Sequence, residues 1–284
     1  AIEKALTKKD LNGFYNAWTK MKEHYEKFYS QTLRLVKKNL SEEENFEWAK
    51  QLATRKGTKS LACLMTTLWN PYIQHEEEVK ELLLNLGNDA NWGTRETSAY
   101  AFANVLLKNF DKAYSQFQEW VEHDSENIRR AVVLAVKYVG KARKPEYGEP
   151  LLRLIEPLLR DRSAYVRKNL GPFAIGDGLL RAYPKLTMQY IEKWSHSHDE
   201  QVLWNVAMIF SAAEGAKHYD EALPILRRLA ADDRRYVWRA VASALKNLGR
   251  RKPDKVKLEL NSWLNNGQRR KVAETALHYI ERSK

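Results

Sequence analysis

Cysteine is nearly missing from this chain. Cys63 is the only one in 284 residues, set in the apolar run Leu61-Ala62-Cys63-Leu64-Met65. No disulfide can close within the chain, and a reducing compartment is expected. Glycine (12) and proline (8) are scarce too, which argues against a loop-rich fold and for long regular segments with short connections. No apolar run approaches the roughly 18 residues needed to cross a membrane. Ala1 to Asp10 carry no signal-peptide pattern, so a cytoplasmic protein without membrane contact, and a monomer, is the expectation.

Several chemistries lack their residues. No GxGxxG or GxxxxGK[ST] occurs, so a glycine-rich phosphate cradle has no support. Gly171, Gly176 and Gly178 instead flank what reads as an interrupted helix. His196 and His198, beside Asp199, are the only histidine cluster, and alternating histidines in a polar turn read as a solvated loop rather than a metal site. No serine or cysteine nucleophile stands in a pattern with a base. Neither a metal nor a cofactor is expected.

What is abundant is positive charge. Lys and Arg number 48 against 36 Asp and Glu, a formal net charge of +12. Such a surplus favours polyanionic partners, nucleic acid first. Nine Trp and 14 Tyr accompany it; aromatic faces beside arginine suit base stacking, although helix packing uses the same residues. Hydrophobic residues at 44% and charged residues at 30% belong to a folded chain.

The strongest signal is internal repetition. Five segments resemble one another, beginning at Trp92, Asn127, Tyr165, Gln201 and Tyr236. With Arg95, Arg129, Arg167, Leu203 and Trp238 as equivalent anchors, the steps are 34, 38, 36 and 35 residues. Each unit reads as an amphipathic helix, a short polar turn and a second helix, and neither helix can bury its apolar face alone. The expected fold is therefore all-α: a right-handed solenoid of tandem HEAT-like helix pairs with a concave basic surface. One domain is expected over 1–284, with 1–45 as an N-terminal helical cap and 46–284 as about six helical repeats. Within the cap, Phe14, Tyr15, Trp18, Met21, Tyr25, Phe28 and Tyr29 form an aromatic stripe at helical spacing.

Turn aspartates recur six residues before a basic residue: Asp89 before Arg95, Asp124 before Arg130, Asp161 before Arg167 and Asp233 before Arg239. HEAT repeats characteristically bond such an Asp and Arg in a ladder between adjacent units. These arginines therefore have two readings, ladder rung or phosphate contact.

Tyr165-Val-Arg-Lys-Asn-Leu-Gly-Pro-Phe-Ala-Ile, running on to Leu179-Leu-Arg-Ala-Tyr-Pro, and the preceding Asn127-Ile-Arg-Arg-Ala-Val-Val-Leu carry a family resemblance. The chain resembles the AlkD-like DNA alkylation repair family of alkylpurine-DNA glycosylases, chiefly from about Asn91 to Arg181 and more weakly to Leu248. The resemblance implies a catalytic Trp and carboxylate spaced i, i+4, matched here by Trp92 and Glu96, with Glu where the family usually has Asp. It also implies a second Trp, but Pro172 and Phe173 follow Gly171, and Trp204 in the next repeat is a stand-in. The partner it implies is double-stranded DNA bearing alkylated bases.

The candidate catalytic residues are thus Glu96 and Trp92. The candidate DNA contacts are Arg95, Arg129, Arg130, Arg167, Lys168, Trp204, Arg234, Arg235, Trp238 and Arg239. A purine alkylated at N3 or N7 is cationic and leaves readily, and a carboxylate stabilises the oxocarbenium character that develops on the sugar. Two other functions fit the same composition: a non-catalytic DNA-binding HEAT protein for distorted or branched DNA, and a protein-binding HEAT scaffold.

Overall fold

The computed structural model describes residues 1–21 and 26–281. The described residues are helical throughout and contain no strand. They fall into two compact units, 1–135 and 136–284.

The first unit holds α1 (Ile2–Thr7), α2 (Leu11–Thr19), α3 (Glu26–Asn39), α4 (Glu42–Ala53), α5 (Lys59–Met65), α6 (Glu76–Gly87), α7 (Trp92–Lys108) and α8 (Phe110–Trp120). Helix α9 (Glu126–Gly140) begins in it and ends in the second unit. There follow α10 (Pro145–Ile155), α11 (Ala164–Asn169), a π-helical segment Leu170–Leu179, α12 (Leu180–Ala182), α13 (Pro184–Trp194) and α14 (Glu200–Ile209). Then come α15 (Tyr219–Leu229), α16 (Arg235–Gly249), α17 (Pro253–Trp263) and α18 (Arg270–Glu281). Within the first unit α5 packs against α4 and α7, and α6 against α7; within the second, the π segment packs on α14, α14 on α16, and α16 on α18.

The sequence dictates where the second helix of each repeat starts. Four residues before each anchor stand Asn91, Ser125, Ser163, Asp199 and Arg234. Asn91, Ser163 and Asp199 accept from the first free N–H groups of α7, α11 and α14, and Ser125 Oγ accepts from Asn127 N. Such caps satisfy donors the helix cannot pair itself. Two residues earlier again, Asp89, His123, Asp161, Ser197 and Asp232 each accept the backbone N–H of the cap residue, at 2.8–3.1 Å. One turn chemistry therefore recurs five times.

The repeat arginines also bond the carbonyls of the turns before their own helices. Arg95 donates to the carbonyls of Asp89 and Ala90, Arg129 to those of His123 and Asp124, and Arg167 to that of Arg162. These arginines staple the turn that precedes their own helix. The Asp89 carboxylate meets Lys59 of α5 at 2.6 Å, and Asp161 Oδ1 accepts the Ser163 N–H.

Core positions keep the repeat register. Thr94, Ile128, Val166, Val202 and Val237, one before each anchor, are all buried. In the first unit Phe102 lies against Phe117 and Trp120 with ring centroids 6.0 and 5.0 Å away. The N-terminal stripe feeds this unit: Phe14 and Trp18 are fully buried, Phe14 packs on Trp48, and the Trp18 indole donates to Gly57 O. Phe28 is exposed, and Tyr25 lies outside the described residues.

The interrupted helix of the sequence is the π segment. Pro172 has no N–H to donate to the carbonyl four residues back, and its ring crowds that carbonyl, so the α ladder cannot pass through it. Gly176 lets this segment approach α14, because a Cβ there would stand 2.6 Å from Ile209 O.

Candidate nucleic-acid interface

The two candidate catalytic residues lie on the first two turns of α7. Asn91 caps the helix, and Trp92 projects from its first position with 71% of its surface exposed. Glu96 and Tyr100 follow at successive four-residue steps, so Trp92, Glu96 and Tyr100 share one stripe of the helix. Tyr100, 46% exposed, was not anticipated from the sequence.

Glu96 is half-buried, and its Oε2 accepts from Arg130 Nη2 of α9 at 2.6 Å. Its Oε1 accepts no hydrogen bond from the described residues. Arg130 was a candidate phosphate contact. The structure puts it inside: it is 8% exposed and its guanidinium holds the Glu96 carboxylate from the next repeat. The sequence separation is 34, one repeat step, and the pair is an inter-repeat rung with Glu in place of the expected Asp. An open recess of about 520 Å³ lies at the N-terminal end of α7, lined by Asn91, Thr94, Lys59, Ser60 and Tyr29 among others.

The remaining candidates divide by what holds them. Arg95, Arg129 and Arg234 are committed to nearby backbone: Arg234 donates to His198 O at 2.7 Å and pairs with Asp232 at 2.6 Å. Trp238 is half-buried with the Lys271 ammonium 5.7 Å from its ring centroid. Lys168, Arg235 and Arg239 are exposed, and none pairs with a carboxylate among the described residues.

In the second unit an aromatic cluster joins four residues from three segments of the chain. Trp204 of α14 stacks on Tyr236 of α16, with centroids 5.8 Å apart and planes at 13°. Arg167 lies 5.6 and 5.7 Å from the two ring centroids. Gln201 Oε1 accepts from the Tyr236 hydroxyl at 2.8 Å and from Arg167 at 3.4 Å, which fixes the ring pair in place. Tyr236 and Gln201 were not singled out from the sequence, although Gln201 and Tyr236 open two of the five repeat segments. Beside this cluster α14, α16 and α18 enclose an open groove of about 790 Å³.

Where the resemblance implies a second Trp, Phe173 lies under an amine. Lys137 Nζ is 2.8 Å from the centre of the Phe173 ring. Lys137 is 9% exposed, and burial pushes its pKa down to about 8.

No helix of the described residues is long and apolar enough to cross a membrane. A family model described as "DNA alkylation repair enzyme" matches residues 30–183, more than half of the chain. Among curated proteins, the chain is 27% identical over 119 residues to the uncharacterized protein YhaZ of Bacillus subtilis (strain 168). That match covers 38% of this chain and 31% of YhaZ, so it spans about a third of the relative's length. Among solved structures, YibA of E. coli is similar with a TM-score of 0.40 and 18% identity, over 95% of this chain and 96% of that one. The family-matched segment contains Trp92, Glu96, Arg130 and Arg167; it ends before Trp204, Tyr236 and the groove beside them.

Proposed function

Because the chain belongs to the DNA alkylation repair enzyme family, we propose that it is a DNA glycosylase that hydrolyses the N-glycosidic bond of cationic N3- or N7-alkylated purines. Glu96 is the catalytic carboxylate and Trp92 the aromatic partner. The observation that carries this reading is the Trp92–Glu96 stripe: an exposed indole one turn from a carboxylate that is anchored through one oxygen and open at the other. Arg130 is a positioning residue, since it touches the carboxylate and not the substrate.

The chemistry needs little else. The alkylated purine carries a positive charge, so the C1′–N bond breaks with its electron pair going to the base, which leaves neutral. Positive charge builds on the deoxyribose, and Glu96 Oε1 stabilises it at short range. Water then bonds to C1′ and gives up a proton, for which the same carboxylate is the nearby acceptor. The Trp92 face packs against the sugar or the cationic base, where the indole quadrupole favours positive charge. Exposed Lys168, Arg235 and Arg239 supply phosphate contacts to the DNA.

A second reading is favoured by a separate observation. Phe173, near the position of the implied second Trp, is covered by Lys137, and Glu96 forms an inter-repeat ion pair. Both features suit a non-catalytic relative that binds distorted or branched DNA.

The deciding experiment follows free base released from methylated duplex DNA by the wild type, Trp92→Ala, Glu96→Gln and Glu96→Gln/Arg130→Met. Release by the wild type that all three variants lose, with salt-sensitive DNA binding retained, supports the glycosylase. No release by the wild type, with tight binding that weakens steeply with salt, supports the binding protein.

A further inference from the structure

The groove of the second unit has the chemistry of a single-strand site. Met208 and Ala240 line it together with the aromatic residues Trp204, Tyr236 and Tyr279. Arg235, Arg239 and Lys246 line it, and no carboxylate does. In a chain with 36 Asp and Glu, a groove of about 790 Å³ with three cations and no acid is strongly electropositive. Arg235 and Arg239 are exposed, and no acidic partner among the described residues draws them away.

The aromatic residues are arranged for stacking. Trp204 and Tyr236 are nearly parallel, with planes at 13°, and their centroids are 5.8 Å apart. Holding one base between two rings needs roughly 7 Å between their planes, twice an ordinary stacking distance, so nothing enters between these two rings. Both rings line the groove, and the aromatic surface they turn to it is the platform. It is held in place, since Gln201 fixes the Tyr236 hydroxyl and Arg167 lies 5.6 and 5.7 Å from the two ring centroids. Also lining the groove, Lys246 stands 4.8 Å from the Tyr279 ring centroid, which joins a third aromatic to a phosphate-seeking ammonium.

A paired base in B-form DNA has both faces occupied by its neighbours in the stack. An aromatic platform on a rigid scaffold therefore gains little from duplex and much from a base already out of the stack. Cations spaced along one helix face, Arg235, Arg239 and Lys246 at steps of four and seven, track a backbone that runs beside α16. We propose that this groove binds an unpaired nucleotide of single-stranded DNA, with its base on the Trp204–Tyr236 platform and its phosphates on Arg235, Arg239 and Lys246. It lies outside the family-matched segment and deepens the DNA-binding reading, on which it rests.

The test uses the full chain and two fluorescent probes: a blunt duplex, and the same duplex with a short single-stranded tail containing 2-aminopurine, whose emission falls when it stacks on an aromatic ring. The wild type is expected to bind the tailed probe about tenfold more tightly than the blunt one and to quench the tail. In Trp204→Ala that preference collapses towards one and quenching is lost, whereas Trp204→Phe keeps both in part. Arg235→Ala/Arg239→Ala lowers the salt slope for the tailed probe by about 1.4, or about 0.7 for each phosphate that is no longer neutralised. Equal affinity for tailed and blunt probes, or quenching that Trp204→Ala leaves unchanged, overturns the proposal. Methylated duplex separates the two readings. Base release without tail quenching removes the groove and keeps the glycosylase; tail quenching without base release does the reverse.

Discussion

The same repeat position carries opposite chemistry in the two units. One residue after the anchor, α7 presents Glu96 and α9 presents Arg130, and the two form a half-buried ion pair. At the equivalent positions of α14 and α16 stand Trp204 and Arg239: the first is stacked on Tyr236, and the second has no acidic partner among the described residues. The neighbouring core position is buried in all of these helices, so the backbone register is shared. Repetition thus maintains the frame and leaves one position per repeat free to diverge. In the first unit it became a carboxylate with an anchor, and in the second an aromatic platform flanked by free cations.

The contrast between the units is tested hardest at Glu96. Glu96→Gln removes charge at nearly constant shape, and base release from methylated DNA is expected to fall by about 100-fold or more. It also removes the charge that Glu96 presents to the buried Arg130 guanidinium, which costs about 1–3 kcal/mol of stability. Denaturant unfolding of Glu96→Gln/Arg130→Met separates the two effects: stability returns with the double replacement, whereas base release does not. Recovery of base release in the double variant would make the pair a structural rung and nothing more.

The aromatic core beneath that pair gives the next effect. Phe102 is fully buried between α7 and α8, touching Phe117 and Trp120. Phe102→Ala is expected to cost about 3–5 kcal/mol. If the two units unfold separately, calorimetry will show one transition moving and the other standing still.

In the second unit the sensitive group is Lys137, whose pKa burial lowers to about 8 from 10.5. The unfolded chain then holds a proton that the folded chain has lost between about pH 8 and 10.5, so this residue makes stability rise with pH across that window. Below pH 8 its burial as an ammonium is a net cost of order 1–3 kcal/mol, with the Phe173 face offsetting part of it. Lys137→Met is expected to raise the melting temperature at pH 7 and to remove that rise. A wild type and variant with parallel melting curves from pH 7 to 10 would show that Lys137 does not titrate in this range.

How far these features could be read from the sequence depends on how local their causes are. The turn aspartates Asp89 and Asp161 were legible, because each acts on backbone two residues on, whereas the caps Asn91 and Asp199 were not singled out although their action is as local. The apolar anchor register was legible for the same reason. Interactions across a repeat step were not: Glu96–Arg130 and Gln201–Tyr236 join positions about 35 apart, and only packing brings them together. Repetition encouraged the expectation of an Asp–Arg ladder, and the turn carbonyls that Arg95 and Arg129 bond were not part of it. Gly171, Gly176, Gly178 and Pro172 signalled an interruption, but its resolution as a π-helix depended on how closely α14 could approach.

The smallest expected effect tests the shared frame itself. Asn91 and Asp199 hold the same cap position in different units, and each accepts from two backbone N–H groups of its helix. Asn91→Ala and Asp199→Ala should each cost about 1 kcal/mol, the ordinary cost of losing an N-cap. The acid has an added attraction to the helix N-terminus, so the loss at Asp199 should be the larger by roughly a few tenths of a kcal/mol, and the difference should shrink in high salt. Denaturant midpoints of the two variants measure this. A large loss at Asp199 that salt does not change would mean that its role extends beyond the cap to the packing of α14 on the π segment and α16, and the equivalence of the two helix starts would fail there.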